Sequence, residues 1–172
     1  MLAFFIMGCN ALSSASEVPI TETLFAENVI QEVSSVIVNF ETLWLSEQSH
    51  RVPTFQEELA TGEYLNRMGY ANSNVENEVE WLVTDSAELE SLRLIEYSQQ
   101  RFKAEACIIE SGRRIRPNGD FIGLFSNVRV CGIYVFVKIE HNWKLLGFLN
   151  CMDPRNYEHT PDWLKEIIGD AQ

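Results

Sequence analysis

Two glutamates within alternating, strand-like stretches are the residues best placed to act as an acid or a base. Glu96 and Glu105 each lie in the middle of such a stretch. A carboxylate that is drawn into an apolar interior has a raised pKa and can then serve as a general base. The alternative is a surface pair with Lys103 or Arg93. We favour the surface pair, because Lys103 and Glu105 share one strand face, as on a half-exposed sheet.

The other titratable residues do not combine into a catalytic or metal-binding set. The histidines fall in a loop, in a tight turn and before a helix cap: His50, His141 and His159. The alternating acids Glu76, Glu78 and Glu80 are typical of a solvated face, since hard-metal sites need oxygen ligands that converge from a loop. The chain has no P-loop, dinucleotide fingerprint, HExxH or GxSxG motif. We therefore expect no catalytic residue, no metal and no cofactor.

The cysteines offer a choice of disulfide partners. If Cys9 is modified, Cys107, Cys131 and Cys151 remain, which is an odd number. A three-residue turn at His141 would put Cys131 directly opposite Cys151, close enough for a disulfide. Cys107 and Cys131 on adjacent strands are a second option, and three buried thiols are a third. The sequence thus predicts Cys131 and Cys151 as a candidate disulfide, and without a CxxC pair it predicts no zinc site.

A basic cluster stands out in an acidic chain. The formal net charge is −12, which argues against nucleic acid as a partner, because phosphate binding depends on clustered Lys and Arg. Arg113, Arg114 and Arg116 nevertheless lie close together in a predicted loop. They can contact anionic lipid headgroups or an acidic partner, and the alternative is a solvated loop.

The first twenty residues predict export and a membrane anchor. Seven apolar residues precede Gly8-Cys9, and a small, polar stretch follows. Ile6-Met7-Gly8-Cys9 resembles the end of a bacterial lipoprotein signal peptide, with Cys9 as the lipidated residue, although Met7 is bulky and no basic region precedes the run. The resemblance implies a lipid-anchored protein on the extracytoplasmic face of the cell membrane. Secretion with cleavage after Ser13-Ser14-Ala15 and a cytosolic protein with an apolar N-terminus are the alternatives.

Helical periodicity dominates the first half of the predicted domain, residues 21–172. Within Leu24–Gln48 the apolar residues recur at steps of three and four, with most glutamates, Glu41 among them, on the other side. Thr21 can cap this long helix. A second helix is predicted from the capping box Thr54–Glu57 to Gly69. A short third helix from Ser73 through Leu82 competes with a strand at Val79–Thr84.

The period changes to two in the second half. Leu89–Tyr97 and Arg101–Ile109 predict paired strands, and Ser111–Ser126 predicts a long loop. Val128–Glu140 and Trp143–Leu149 then predict a hairpin around His141-Asn142, whose first strand is apolar on both faces. Thr160-Pro161 opens a last helix. Helices followed by strands indicate an α+β fold, with N-terminal helices packed on a curved antiparallel sheet of four or more strands.

Two segments carry a resemblance to a known fold: Glu58–Leu65 in the second helix, and Tyr134–Val137 followed by Trp143-Lys144-Leu145. They resemble the NTF2-like, cystatin-like cone, in particular its bacterial membrane-associated branch near the IMS domain of plastid-division proteins. The resemblance covers roughly Leu24–Leu149 and implies a fold in which a long helix crosses a curved sheet. It carries no catalytic residue with it.

These observations predict a membrane-tethered, non-enzymatic NTF2-like module that binds a ligand or partner in the bacterial cell envelope. Self-association or a protein partner would use the open face of the sheet. An apolar ligand would use aromatic residues at the mouth of the cone: Trp44, Trp81, Trp143, Tyr134 and Phe136. The alternative is a small isomerase or dehydratase with an acid or base residue inside the cone.

Overall fold

The computed structural model describes residues 25–68, 80–152 and 160–169 of the 172-residue chain. The fold is α+β, as predicted, with helices packed on a four-stranded antiparallel sheet. The helices are α1 (Glu27–Trp44), α2 (Glu47–Arg51), α3 (Gln56–Leu59), α4 (Gly62–Arg67) and α5 (Asp162–Ile168), with a 3-10 turn at Pro53–Phe55. The strands are β1 (Trp81–Tyr97), β2 (Arg101–Ile115), β3 (Phe121–Ile139) and β4 (Asn142–Asn150). Within the described residues no helix is long and apolar enough to cross a membrane.

Helix α1 forms where the apolar period predicted a helix, and its buried side includes Val33, Ile37 and Phe40. The predicted helix is too long at its C-terminal end, because the chain turns after Trp44 and restarts as α2. Ser46 caps α2, and its side chain accepts a hydrogen bond from Ser49 N at 3.2 Å. Burial of each large aliphatic side chain contributes about 1.5–3 kcal/mol, so α1 is held chiefly by its buried stripe. The predicted cap at Thr21 lies outside the described residues.

The predicted second helix is interrupted, and this corrects the prediction. Neither the 3-10 turn nor α3 has a side-chain cap, so the predicted capping box at Thr54 does not form. Ala60 forms a parallel bridge with Leu145, and Thr61 N donates to Leu145 O at 2.9 Å. The Thr61 side chain then caps α4 by accepting from Tyr64 N. A contact with β4, which is remote in sequence, therefore overrides the local preference for one continuous helix.

The sheet has the order β1-β2-β3-β4, and its first three strands are longer than the sequence predicts. The predicted loop Ser111–Ser126 is wrong for most of its length: β2 continues to Ile115, β3 begins at Phe121, and the two pair across the intervening turn. Trp81 opens β1, so the strand alternative is correct from there. Residues 73–79 of the predicted third helix lie outside the described part.

Irregular pairing bends the long strands. The register between β1 and β2 shifts at three places, that between β2 and β3 at two, and that between β3 and β4 at one. A bulge bends its strand and increases the local twist, so repeated shifts let the sheet curve around α1. In the β3–β4 turn Glu140 adopts a positive φ of 58°, immediately before the predicted turn residues His141-Asn142.

The two faces of the sheet are covered by different helices. The inner face carries Phe102, Ala104, Ala106, Ile108, Tyr134 and Phe136, and α1 packs against it. The outer face carries Ile133, Val135 and Leu149 and packs against α5 through Leu164 and Ile168. Alternation along β3 thus places consecutive residues in two different apolar clusters, which explains why both faces of this strand are apolar.

Candidate functional site

An open cavity of about 480 Å³ lies between the C-terminal half of α1, helices α4 and α5, and strand β4. We call it the helix–sheet cavity. Its walls are mainly aromatic and aliphatic, and include Phe40, Trp44, Tyr64, Leu145, Phe148 and Leu164. Glu41 is the carboxyl-bearing residue among the described residues that line it. A concave, mainly apolar space with a polar group in its wall has the usual character of a small-molecule site.

Glu41 lies on the buried side of α1, which corrects the sequence interpretation that placed it on the solvated side. Its side chain is one turn after Ile37 and is only 7% exposed. Tyr134, completely buried on β3, donates its hydroxyl proton to Glu41 Oε1 at 2.6 Å. The helix therefore carries a carboxyl group into the core, against the inner face of the sheet.

A second buried carboxyl group meets Glu41 from β2. Glu110 is 4% exposed and follows Ile108 on the inner face by the two-residue period of the strand. The carboxyl groups of Glu41 and Glu110 lie close enough to interact, and hydrogen bonding between them contributes to the pKa of each. No N–H or O–H donor from the described residues reaches Glu110 Oε1. Ionised carboxylates are acceptors only, so a hydrogen bond between these two groups requires that one of them is protonated.

The surroundings of the pair favour its protonated form. Burial raises the pKa of Glu41 to about 8, and the Glu110 charge acts in the same direction, while the hydrogen bond from Tyr134 opposes both. Burial also raises the pKa of Glu110, opposed by its hydrogen bond with Glu41. The pKa of Tyr134 is raised by burial first and then by the neighbouring Glu41, so its phenol stays protonated. The site can therefore release or take up a proton near neutral pH.

The glutamates that the sequence proposed as candidates lie elsewhere. Glu105 pairs on the surface with Arg93, whose Nη2 lies 2.5 Å from Glu105 Oε2, and Glu96 is exposed. His141 is exposed in the β3–β4 turn. His50 stacks on Trp81 at 5.1 Å and has Nε2 2.9 Å from Leu82 O, and His159 lies outside the described residues.

Glu41 and Glu110 were missed although each carries a local signal. Glu41 follows Val33 and Ile37 at steps of four, which is a position on the buried stripe. Glu110 continues the alternation of Phe102, Ala104, Ala106 and Ile108, but the predicted strand stopped one residue earlier, at Ile109. Both residues therefore occupy positions that are typical of buried side chains, although both carry a charge.

The disulfide joins Cys107 to Cys131, so the predicted pairing of Cys131 with Cys151 is wrong. Cys131 has a cysteine on each side: Cys107 is its partner on β2, and Cys151 N donates to Cys131 O at 2.8 Å just beyond β4. The Cα atoms of Cys107 and Cys131 are 4.1 Å apart. In an antiparallel sheet, facing residues that do not hydrogen-bond through their backbones have their side chains closer together than facing residues that do. Cys151 hydrogen-bonds Cys131 through the backbone, so its side chain lies farther from Cys131 than a residue at a closely spaced position would. Glu90 lies beside the two bonded sulfurs, but a disulfide offers no thiolate to a metal.

The three clustered arginines each have an acidic neighbour. Arg113 Nε lies 2.9 Å from an Asp85 carboxylate oxygen, Arg114 forms an ion pair with Glu80, and Arg116 Nη1 lies 3.8 Å from an Asp120 oxygen. The side chains remain partly exposed. Their contact with a lipid headgroup or an acidic partner stays a prediction, but any such anion would compete with these carboxylates.

Only one of the five aromatic residues predicted to line the cone's mouth is found in the described lining of the helix–sheet cavity, namely Trp44. Tyr134 and Phe136 are fully buried core residues, and Trp81 packs in a separate cluster with Val83 and Ile115. Trp143 donates from Nε1 to Glu32 Oε1 at 3.0 Å. That hydrogen bond and a second one from Tyr97 lower the pKa of Glu32. Glu32 is therefore an ionised carboxylate at neutral pH and does not exchange a proton there.

An exposed apolar strip lies on β3 beyond the reach of β4. Phe121, Leu124 and Val128 are 62%, 74% and 44% exposed, whereas β4 pairs with β3 only from Gly132 onward. Association with a second copy or a protein partner through the sheet stays a prediction.

Comparisons with known proteins give a fold likeness and no family. No family model matches the chain, and no curated protein matches it. Among solved structures, it is similar to the intermembrane-space region of the chloroplast protein ARC6, with a TM-score of 0.47 and 13% sequence identity. The match covers 74% of this chain and 97% of that chain. A likeness of this extent has no bearing on activity.

Proposed function

We propose that this protein is a non-enzymatic, NTF2-like binding module that takes a small apolar ligand in its helix–sheet cavity. The observation that carries the proposal is the cavity itself: about 480 Å³, walled mainly by aromatic and aliphatic side chains, with a carboxyl group at one place. Burying apolar ligand surface against such walls contributes about 25 cal/mol per Å² removed from water. The NTF2-like assignment is supported by the order of helices and the curved sheet, and by Glu58–Leu65 and the Trp143-Lys144-Leu145 strand.

A binding test can use the uncharged apolar dye N-phenyl-1-naphthylamine, whose fluorescence rises in an apolar site. Val130 lines the cavity, so Val130→Trp should fill part of it and weaken dye binding at least about tenfold. Val128→Trp is the matched control, because Val128 lies two residues earlier on the same strand and is 44% exposed. Equal binding by both variants, or no dye binding by the unmodified protein, would refute the proposal.

We propose further that the module is tethered to the extracytoplasmic face of the cell membrane through lipidated Cys9. The support is the apolar run that ends in Gly8-Cys9, together with the disulfide Cys107–Cys131, since disulfides persist in oxidising compartments. Labelling with a fatty-acid analogue in cells that express the gene from its native upstream region should modify the protein, and Cys9→Ala should abolish the label. Absence of label from the unmodified protein would remove the anchor but would leave the ligand site intact.

A small acid–base enzyme is the second candidate function. The favouring observation is the Glu41 carboxyl, which lines the cavity and has a pKa of about 8. A general base works best when its pKa lies near the operating pH. Ligands extracted from the purified protein would be identified by mass spectrometry and incubated with fresh protein. Chemical conversion that Glu41→Gln abolishes would favour the enzyme, and recovery of unchanged ligand would favour the binding module.

A further inference from the structure

We propose that the ligand of the helix–sheet cavity is a cationic amphiphile, with an apolar body and one protonated amine that pairs with Glu41. This inference rests on the proposed function, because it names the chemical class that the binding site would select. Three features of the site support it: the charge of the lining, the state of the carboxyl pair and the nature of the walls.

The charge of the cavity favours a cation over an anion. Among the described lining residues Glu41 carries a carboxyl group, and none is Lys, Arg or His. The whole chain carries a formal net charge of −12. An anionic ligand would find no basic partner among the described lining residues and would be repelled by the surrounding charge. A cationic ligand meets a carboxyl group and is attracted toward the protein from solution.

The carboxyl pair is short of donors, and an ammonium group would supply them. Once ionised, the oxygens of Glu41 and Glu110 are acceptors only. The phenol of Tyr134 gives one donor, to Glu41, while Glu110 is more than nine-tenths buried and its Oε1 meets no donor from the described residues. An ammonium group carries three N–H donors and one positive charge. It can therefore hydrogen-bond the ionised Glu41 and replace the proton that Glu41 would otherwise hold.

The groups that face Glu41 allow this exchange. Glu110 approaches Glu41 from β2, and Tyr134 approaches it from β3. The Cys151 thiol, which follows β4, raises the pKa of Tyr134. Within the described residues, no basic side chain contributes to the pKa of Glu41. A cation that binds here therefore meets no competing ion pair, and it turns a neutral buried carboxyl into a paired carboxylate.

The walls fit the rest of the ligand. Phe40 and Trp44 stack with ring centroids 5.2 Å apart and line the cavity next to Glu41. The face of an aromatic ring attracts a nearby cation, and more strongly where water is excluded. Leu145, Leu149 and Leu164 provide aliphatic surface for an alkyl or aryl body. A purely polar cation would lose its hydration here without gaining apolar contacts.

A matched ligand series tests the inference on the unmodified protein. Octylamine, 1-octanol and octanoate share one chain and differ only in the head group. Isothermal titration at pH 7 should give a Kd for octylamine at least about tenfold lower than that for 1-octanol, and octanoate should bind weakest. Equal affinity of the amine and the alcohol would refute the inference and keep the proposed function. Binding of none of the three, together with no dye binding, would refute both.

Proton release gives an independent readout. At pH 7 the Glu41 carboxyl is mainly protonated, so pairing with an ammonium group should release about one proton per ligand. The observed binding enthalpy should then vary linearly with the ionisation enthalpy of the buffer, and the size of the slope should equal the number of protons released per ligand. The amine Kd should also fall by up to about tenfold per unit as the pH rises from 6 to 7.5. Buffer-independent binding of the amine would contradict a proton exchange at Glu41.

Glu41→Gln separates the head-group contact from the cavity. The amide keeps the shape of the side chain and can still accept from Tyr134, so the dye and 1-octanol should bind as before. Octylamine should lose about tenfold or more in affinity and should release no proton. Glu105→Gln is the control, because that carboxylate is paired with Arg93 outside the cavity. A Glu41→Gln variant with unchanged amine binding and unchanged proton release would overturn the inference.

Discussion

The buried carboxyl pair should make the free energy of unfolding depend on pH in a direction opposite to that of a surface ion pair. In the folded protein Glu41 keeps its proton up to a pKa of about 8, whereas in the unfolded chain it releases it near 4.5. Between these values the folded state binds more protons, so the contribution of Glu41 to stability falls as the pH rises. Below pH 4.5 and above pH 8 this contribution is constant.

The magnitude follows from the two pKa values. The interval from 4.5 to about 8 is roughly 3.5 pH units, which at 1.36 kcal/mol per unit corresponds to about 5 kcal/mol. This is an upper limit, because the charges of Glu41 and Glu110 are coupled and the core can relax when it ionises. A loss of about 3–5 kcal/mol is a large part of the 5–15 kcal/mol that stabilises an ordinary domain.

Glu41→Gln should remove most of this pH dependence. The assay is urea unfolding under non-reducing conditions at several pH values from 5 to 8.5, followed by circular dichroism, with the free energy from linear extrapolation. The variant should resemble the unmodified protein at pH 5, or be slightly less stable, and should become the more stable of the two toward pH 8.5. Groups with a lowered pKa, such as Glu32, act in the opposite direction, but they do so below about pH 4.5 and therefore outside the range of this assay.

Glu105→Gln controls for the loss of a carboxylate in general. An exposed ion pair is worth about 0–1 kcal/mol, so this variant should run parallel to the unmodified protein. A Glu41→Gln variant that also runs parallel to the unmodified protein across this pH range would refute a raised pKa of Glu41. That result would mean that Glu41 is ionised in the folded state at neutral pH.

Three further changes test the packing and the cross-link. Ile37→Ala should cost about 2–5 kcal/mol in urea unfolding, because Ile37 is fully buried between α1 and the sheet; a cost below 1 kcal/mol would contradict that placement. Gly112→Ala should destabilise by at least about 1–3 kcal/mol, since its Cβ would lie 2.0 Å from Val83 O, and unchanged stability would show that the strands are further apart. Reduction of the disulfide Cys107–Cys131, which spans 24 residues, should lower stability by about 3 kcal/mol in thermal unfolding; an identical Tm with and without reductant would argue against the cross-link.

Local periodicity predicted the parts of the fold whose partners lie nearby in sequence. The buried stripe of α1 and the alternation in the β3–β4 hairpin were recognised because each depends on the geometry of a single element. The end of β2 and the start of β3 were predicted as a loop, because Arg113, Arg114 and Arg116 lie close to Pro117 and Gly119. This part of the sheet has three strands, because β1 pairs with β2 as far as Ile115. Ion pairs with Asp85 and Glu80 accommodate the charges of Arg113 and Arg114.

Strand pairing decided the cysteines. The sequence placed Cys131 next to both Cys107 and Cys151, and the structure has it between them. Facing residues in an antiparallel sheet alternate between pairs with closely spaced Cα atoms and pairs with widely spaced ones, and a closely spaced pair favours a disulfide. The bulges along each strand decide which pairs are closely spaced. A one-residue shift of register would have changed the outcome, and such shifts leave little trace in a single sequence.

The sequence by itself determined the buried stripe of α1, the period of the strands, the acidic charge and the apolar run that ends at Cys9, since all of these are properties of neighbouring residues. Only the tertiary structure decided that Glu41 and Glu110 meet behind Tyr134 at the wall of a cavity. A charged residue on an apolar stripe can turn outward or be buried, and the choice depends on what the opposing element offers. Here β2 presents a second carboxyl group and β3 a phenol, and both interact with Glu41 inside the core.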